Sequence, residues 1–242
     1  MTHHQNELGQ PIGAPLPAGW TPPPWPDRTP MTGRFCRVEA LDPQKHAADL
    51  YAAYSLDVQG RNWTYLGYGP FADVASYRSW VESVYQGEDP LFFAIVDLSS
   101  GKAMGVASYL RITPASASIE VGHLNFTPLL QQRPAATEAM FLMMQRAFAL
   151  GYRRYEWKCD ALNAPSRAAA QRLGFSYEGT FRQATVYKGR NRDTAWYAVI
   201  DSEWPALCDA FEAWLAPDNF DEDGKQRVSL RTLTRPLLVQ IG

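Results

Sequence analysis

Three apolar stretches rich in β-branched and aromatic residues, Leu91 to Leu98, Lys102 to Ile112 and Ser118 to Phe126, follow one another with only Ser99-Ser100-Gly101 and Thr113-Pro114-Ala115-Ser116 between most of their lengths. Clusters of Ser, Gly, Thr and Pro are turn chemistry, so the three stretches make an antiparallel meander and the rest of the chain is built around it. Upstream, Arg34 to Leu41 reads as a strand, Pro43 to Leu56 as a helix capped by Asp42, and Asp73 to Gln86 as a second helix. Downstream, Ala136 to Leu150 places Ala139, Leu142, Met143, Ala147 and Leu150 on one helical stripe and stops at Gly151. A strand Tyr152 to Asp160 follows, then a helix Asn163 to Leu173 closed by Gly174. Phe175 to Tyr187 and Thr194 to Asp201 pair around Lys188-Gly189-Arg190-Asn191, and Ser202 to Leu215 is an amphipathic helix. The order is βααβββαβαββ and then α, an α/β fold.

The ends of the chain differ from this middle. Residues 11 to 30 hold eight of the 18 prolines together with Trp20 and Trp25, and proline fixes φ and removes a backbone donor. Residues 1–30 therefore form an extended, proline-rich arm, either anchored to its own domain by the two tryptophans or offered to a partner in polyproline form. The domain runs over 31–215, and 216–242 is an extension in which Arg227 to Thr234 reads as a weak strand. Asn219-x-Asp221-x-Asp223-Gly224 imitates the start of a calcium loop, but Leu230 stands where the loop needs a carboxylate, so no metal is expected. A net charge of −2 speaks against a nucleic-acid partner, and no apolar run is long enough to span a membrane. Three widely spaced cysteines and a polar amino terminus point to the cytoplasm.

Chemistry concentrates in three places. Between the strand ending at Phe126 and the helix beginning near Ala136 lies a loop containing Gln131, Gln132, Arg133, Pro134 and Ala135, with Ala136 and Thr137 following. A helix start exposes unpaired N–H groups and partial positive charge, a natural seat for pyrophosphate; a plain connection explains the loop as well. The strand Tyr152 to Asp160 alternates Arg153, Tyr155, Trp157 and Cys159 with Arg154, Glu156, Lys158 and Asp160, which makes one face wholly charged. That face is a salt-bridge ladder, a solvated surface, or a pocket where Glu156, Lys158 or Asp160 meets a substrate. The third place is Asn163-Ala164-Pro165-Ser166, where Asn163 caps a helix and Ser166 faces the crevice beside the carboxyl end of the strand.

The order of elements, the run Gln131 to Ala139, Asn163-Ala164-Pro165-Ser166, and Arg172-Leu173-Gly174-Phe175 together resemble the GNAT superfamily of N-acyltransferases. The likeness spans roughly Arg34 to Ile200, and within it the chain is similar to the branch containing ribosomal-protein N-acetyltransferases. The resemblance implies a GNAT-type mixed, mostly antiparallel sheet, flanked by helices and splayed between its fourth and fifth strands, Ser118 to Phe126 and Tyr152 to Asp160. Acetyl-coenzyme A would lie in that V as acyl donor, its pantetheine on the backbone of Leu124, Asn125 and Phe126 and its pyrophosphate on Gln131 to Thr137. The family pattern there is met by Gln131 and Ala136, whereas Pro134 replaces a glycine and removes one amide donor.

By the same resemblance Asn163 would hold the pantetheine and Ser166 would protonate the departing thiolate. Relatives often carry a carboxylate at the position of Thr185, which cannot act as a base. Glu120 is then the first candidate for the base and Asp160 the second, although a buried structural carboxylate accounts for Glu120 equally. Trp63 and Tyr65, with Tyr68 and Phe71, could floor an acceptor pocket or simply pack the two early helices. The acceptor is an amine, of a protein N-terminus or of a small molecule, attacked directly without a cysteine intermediate, and a homodimer is compatible with the fold. The rival reading is a coenzyme A-binding module weakened by Pro134 and Thr185, which binding of acetyl-coenzyme A without turnover would reveal.

Overall fold

The computed structural model describes residues 4–242, so the first three residues of the arm lie outside the described residues. A small exposed hairpin pairs β1 (His4–Gln5) with β2 (Pro11–Ile12). The arm then runs extended to β3 (Met31–Thr32), the first strand of the domain. Of its two tryptophans only Trp20 is half-buried, and the hydrogen-bonded anchors lie elsewhere. Trp25 is exposed, whereas Pro23 and Pro26 are buried, Tyr152 Oη donates to Pro24 O, and Arg28 donates to the carbonyls of Tyr85 and Gly87. Proline rings without amide hydrogens bury at little polar cost, while the guanidinium reaches the free carbonyls at a helix end.

The domain continues with β4 (Cys36–Ala40), α1 (Pro43–Tyr54), a 3₁₀ turn Arg61–Trp63, α2 (Val74–Val84), β5 (Leu91–Asp97), β6 (Ala103–Thr113) and β7 (Ser118–Phe126). It is completed by α3 (Pro134–Ala149), β8 (Arg154–Asp160), α4 (Ala164–Arg172), β9 (Ser176–Tyr187), β10 (Arg190–Ile200), α5 (Trp204–Leu215) and α6 (Leu230–Thr234). Local chemistry sets these boundaries. Asp42 accepts from the amides of Gln44 and Lys45, Asp73 and Ser76 form a reciprocal capping box, and Asn163 accepts from Ser166 N. Helix α3 begins at Pro134, two residues ahead of the start read from periodicity, because proline's missing N–H costs nothing at the first helical position.

Eight strands form one sheet in the order β3-β4-β5-β6-β7-β8-β10-β9. Every neighbouring pair is antiparallel except β7 and β8, which run parallel and pair only from Ser118↔Arg154 to Val121↔Trp157. Beyond Val121 the two strands separate, which is the splay the sequence led us to expect. One face of the sheet packs under α1 and α2 through Leu50, Tyr54, Trp63, Tyr77, Phe92 and Val106. The other packs under α3, α4 and α5 through Phe93, Tyr109, Val121, Met143, Tyr155 and Phe211.

The hairpin and the extension depart from expectation. The β9–β10 turn is two residues, Lys188 and Gly189, both with positive φ, so pairing resumes at Arg190. Arg227 to Thr234 holds no strand; it gives α6, capped by Ser229. Leu230 and Thr234 are buried at helical spacing while Val228 is exposed, and period two cannot bury that set. The extension lies on the domain: Thr234 Oγ1 donates to Arg172 O, and Tyr177 N donates to Gln240 O.

Helix α3 is tied to β4 by a buried carboxylate. Glu138 accepts the amides of Arg34, Phe35 and Cys36 at 2.7, 2.7 and 2.8 Å, and Gly33 gives the space the carboxyl needs. Glu138→Gln puts an NH₂ against these donors, so loss of about 3 kcal/mol is expected. In thermal unfolding this reads as a fall of roughly 6–12 °C. An unchanged Tm would show that the three amides find other acceptors.

Candidate active site

Where β7 and β8 part, β7 carries a bulge. Its register with β6 shifts between Ser108↔Gly122 and Val106↔Asn125, and His123 adopts a φ of 50°. The bulge turns backbone amides toward the opening V, and it sets the side chain of Asn125 beside Val106. Both polar atoms of the Asn125 carboxamide are buried without a partner among the described residues. The backbone of the same segment is more occupied than expected. Asn125 O accepts from Tyr54 Oη, and Phe126 O accepts from both Asn62 Nδ2 and Gln131 Nε2, at 3.0 and 2.8 Å. Both lone pairs of the Phe126 carbonyl are taken, so that carbonyl is not open to a further donor.

The loop before α3 is built for an anion. The amides of Leu130, Gln131, Arg133 and Ala136 bond within the loop, while those of Gln132 and Ala135 have no acceptor among the described residues. Gln132 holds a φ of 61°, the left-handed conformation that turns successive amides toward one side. The Gln131 side chain folds back onto Phe126 and Asn62 and so braces the loop instead of facing a phosphate. Two cations without a carboxylate hydrogen bond among the described residues stand there: Arg133 before the helix, and Arg172, whose Nη2 donates to Thr137 Oγ1 at 3.1 Å. Burial lowers the pKa of Arg172. Pro134 removes one donor, and free amides on both sides of it with two arginines compensate. These features fit the pyrophosphate of coenzyme A.

At the carboxyl end of β8, Asn163 caps α4 through Oδ1 at 3.2 Å, which leaves its Nδ2 unpartnered among the described residues. Ser166 Oγ accepts from Trp157 Nε1 at 3.0 Å. Because the ring nitrogen supplies that hydrogen, the serine's own hydrogen stays available to donate. Burial raises the pKa of the neighbouring Cys159, against a lowering effect of Ser166, and burial also raises that of Cys36. Cys208 is pushed up to about 11 by burial and Glu212. None of the three is a thiolate at neutral pH.

The charged face of β8 is a ladder. Arg154 pairs with Glu156 and Glu178 at 2.6 and 2.5 Å, and Lys158 bridges Glu156 and Glu120 at 2.7 and 2.9 Å. Arg111 closes on both Glu120 oxygens at 2.8 Å. Glu120 is only 3% exposed, so it does not meet the cleft as a free carboxylate. Burial raises its pKa, and the two cations pull the other way. Lys158 sits 3.7 Å over the Trp196 ring, and Asp160 accepts from Tyr187 Oη and Leu162 N, each at 2.8 Å. Lys158 and Asp160 are thus buried and engaged. Trp63 is a core residue packed on Tyr54 and Phe71, 5% exposed, and does not floor a pocket; the sequence left both readings open. Tyr65 stands at the cleft, donating to Leu162 O. Thr185 is exposed on β9.

Sequence reasoning missed Tyr54, Asn62 and Tyr187, none of which follows a local pattern, and it read Arg172 only as part of the run Arg172-Leu173-Gly174-Phe175. A surface cavity of about 580 Å³ lies apart from this cleft, against Ser229, Arg231 and Arg235.

The acetyltransferase (GNAT) domain family matches residues 37–176. The chain belongs to the GNAT acetyltransferases. It is a coenzyme A-dependent acetyltransferase of that family and takes its acetyl group from acetyl-coenzyme A. A GCN5-related N-acetyltransferase from Brucella melitensis is 50% identical with a TM-score of 0.87, covering 89% of this chain and 98% of its own. A probable acetyltransferase of the GNAT family from Chromobacterium violaceum is 39% identical with a TM-score of 0.74, covering 81% and 98%. The Salmonella typhimurium enzyme that modifies the N-terminal serine of ribosomal protein L7/L12 shares the fold at 21% identity and a TM-score of 0.60, covering 71% and 99%. Among curated protein sequences none matches. No described helix of this acetyltransferase is long and apolar enough to cross a membrane.

His123, on the bulge, is stacked on Tyr68 and bonded to its hydroxyl at 3.3 Å. Burial first, and Arg111 second, lower its pKa to about 4 from 6.5. The neutral ring is therefore the folded form. As pH falls from 6.5 toward 4 the unfolded chain takes a proton the folded chain refuses, and stability drops by about 2–3 kcal/mol; above 6.5 the effect vanishes. Denaturant midpoints should fall less steeply over that range in His123→Gln. Parallel slopes would place the ring in solvent.

Proposed function

We propose that this acetyltransferase moves acetyl from acetyl-coenzyme A directly to a primary amine, of a small molecule or of a peptide N-terminus, at the point where β7 and β8 separate. The observation that carries this reading is the Ser166 hydroxyl in the first turn of α4, oriented by the N–H of Trp157, the last β8 residue paired with β7 before the V opens. The donor lies on the α3 and α4 side, its phosphates held by the Gln132 and Ala135 amides with Arg133 and Arg172, and its pantetheine by Asn163 and Asn125. The amine arrives from the opposite face, past Tyr65 and Tyr187. Backbone amides at the bulge polarise the thioester carbonyl, the amine nitrogen bonds to the carbonyl carbon, and the C–S bond breaks as Ser166 gives its proton to the thiolate and regains one, through water, from the nitrogen of the new amide. The ammonium loses its proton to water before attack.

A second reading keeps Glu120 as the base, and one observation favours it: burial raises its proton affinity toward the range a base needs. Against it stand Arg111 and Lys158, which hold the carboxylate in place. The three free cysteines support a reducing compartment such as the cytoplasm. The likeness to the ribosomal-protein branch supports a peptide N-terminus as one acceptor class.

Steady-state kinetics with any accepted amine tests the assignment. Ser166→Ala should lower kcat about 10²-fold with the KM for acetyl-coenzyme A nearly unchanged. Arg172→Ala should do the reverse, raising that KM about tenfold, the weight of one charge-assisted hydrogen bond. Full activity in Ser166→Ala reduces the serine to a capping-turn residue. For Glu120→Gln, a kcat/KM profile parallel to the parent's is expected; a rate that climbs with pH until it meets the parent's would restore Glu120 as base.

A further inference from the structure

We propose that the rim of the acceptor cleft selects amines that also carry an anionic group, a carboxylate or a phosphate. The inference rests on the reading that an amine enters this cleft and deepens it by naming the acceptor's second functional group. The β9–β10 hairpin folds its tip over the end of the V. Lys188 Nζ donates to Trp63 O at 2.8 Å, Arg190 Nη2 donates to Thr64 O at 2.9 Å, and Tyr187 Oη donates to Asp160 at 2.8 Å. Tyr65 Oη, from the segment the two cations hold, donates to Leu162 O at 3.2 Å. The hairpin tip, the turn after α1 and the β8–α4 connection are thereby joined into one rim.

That rim lies on the acceptor side. Side chains alternate along β8, and Trp157 and Cys159 point toward α4 and Ser166, while Lys158 and Asp160 point the other way, where Tyr187 meets Asp160. The phosphates of the donor belong to the α3 side, so the rim cations are not needed for them.

The charge on the rim is unbalanced. Lys188, Arg190 and Arg192 form no ion pair among the described residues, and the protein as a whole has a net charge of −2. Their hydrogen bonds go to neutral atoms: two backbone carbonyls and Thr194 Oγ1. The guanidinium groups of Arg190 and Arg192 lie 5.2 and 6.0 Å from the Tyr187 ring centre. Burial and the proximity of Arg190 both lower the pKa of Lys188, so the cations are crowded against one another. Carbonyl contacts fix the position of these groups without neutralising them; Asp160 and Asp193, whose carboxylate accepts from Gln183 N and Asn191 Nδ2, ion-pair with none of the three among the described residues and together carry fewer charges. An anionic group on the acceptor would relieve that repulsion, and it would hold the far end of the molecule while the amine reaches the thioester. The closed rim favours a slender acceptor, either a small amino acid or the free end of an acidic peptide, and both present the same chemistry.

The test is an acceptor panel on the full chain with acetyl-coenzyme A: 4-aminobutyrate against butylamine, and a short peptide with acidic residues after its free N-terminus against its neutral counterpart. In the wild-type protein the anionic member of at least one pair should have a kcat/KM about tenfold or more above its neutral partner, a preference that shrinks in high salt. Which pair shows it tells a small molecule from a peptide. In the double variant Lys188→Gln with Arg190→Gln that ratio should collapse toward one, with the KM for acetyl-coenzyme A moving less than about twofold. Equal rates within both pairs of the wild-type protein overturn the inference and leave acetyl transfer standing. A rise of the acetyl-coenzyme A KM in the double variant, with the ratio unchanged, also overturns it by assigning the cations to the donor. No acetylation of any amine, together with no thermal stabilisation by acetyl-coenzyme A, is a failure of the underlying reading instead.

Discussion

Beyond Val121, β7 keeps its hydrogen bonds to β6 while β8 keeps its own to β10, and the parting of the two strands leaves backbone on facing edges that must find other partners. Unpaired amides and carbonyls inside a sheet are costly, so this gap persists only because other groups close it. Tyr54 and Asn62 reach in from the α1 side, and Gln131 from the loop before α3. The bulge at His123 makes the separation possible. One extra residue turns the end of β7 away from β8 without breaking its ladder to β6.

The two sides of the gap are prepared differently. Toward α3 and α4 the groups are donors in waiting: free amides, an arginine without a carboxylate hydrogen bond among the described residues, and a serine whose hydrogen is uncommitted. Toward the hairpin the charges are almost all paired, from Arg154 through Glu156, Lys158 and Glu120 to Arg111. A buried ladder of this kind adds little net stability, since desolvation offsets the attraction, but removing one member strands its neighbours. The cations of the hairpin tip are the exception on that side, because their hydrogen bonds end on neutral atoms.

How much of this was legible depended on how far apart the interacting residues are in the chain. The caps Asp42, Asp73 and Asn163, the meander, and the helix that Gly174 closes are decided by neighbours within a few residues, and they appear where the sequence places them. The helical start at Pro134 and the two-residue turn at Lys188-Gly189 shifted by only a few positions, as element ends do when propensity is spread over several residues. Arg227 to Thr234 misled because Val228, Leu230 and Leu233 mimic alternation, and the Ser229 cap outweighs that pattern.

By itself the sequence determined the α/β order and the antiparallel meander, since periodicity and turn chemistry are properties of neighbouring residues, and its resemblance to the GNAT superfamily implied the splayed sheet. Tertiary structure alone decided the state of the side chains in the site. Glu138 meets Arg34 to Cys36 across more than a hundred residues, Arg172 meets Thr137 across 35, and Lys188 meets Trp63 across 125. The sequence offered Glu120 as a carboxylate and Trp63 as an aromatic. Whether the first is free or clamped, and whether the second lines a pocket or fills the core, depends on which distant residues the folded chain brings against them.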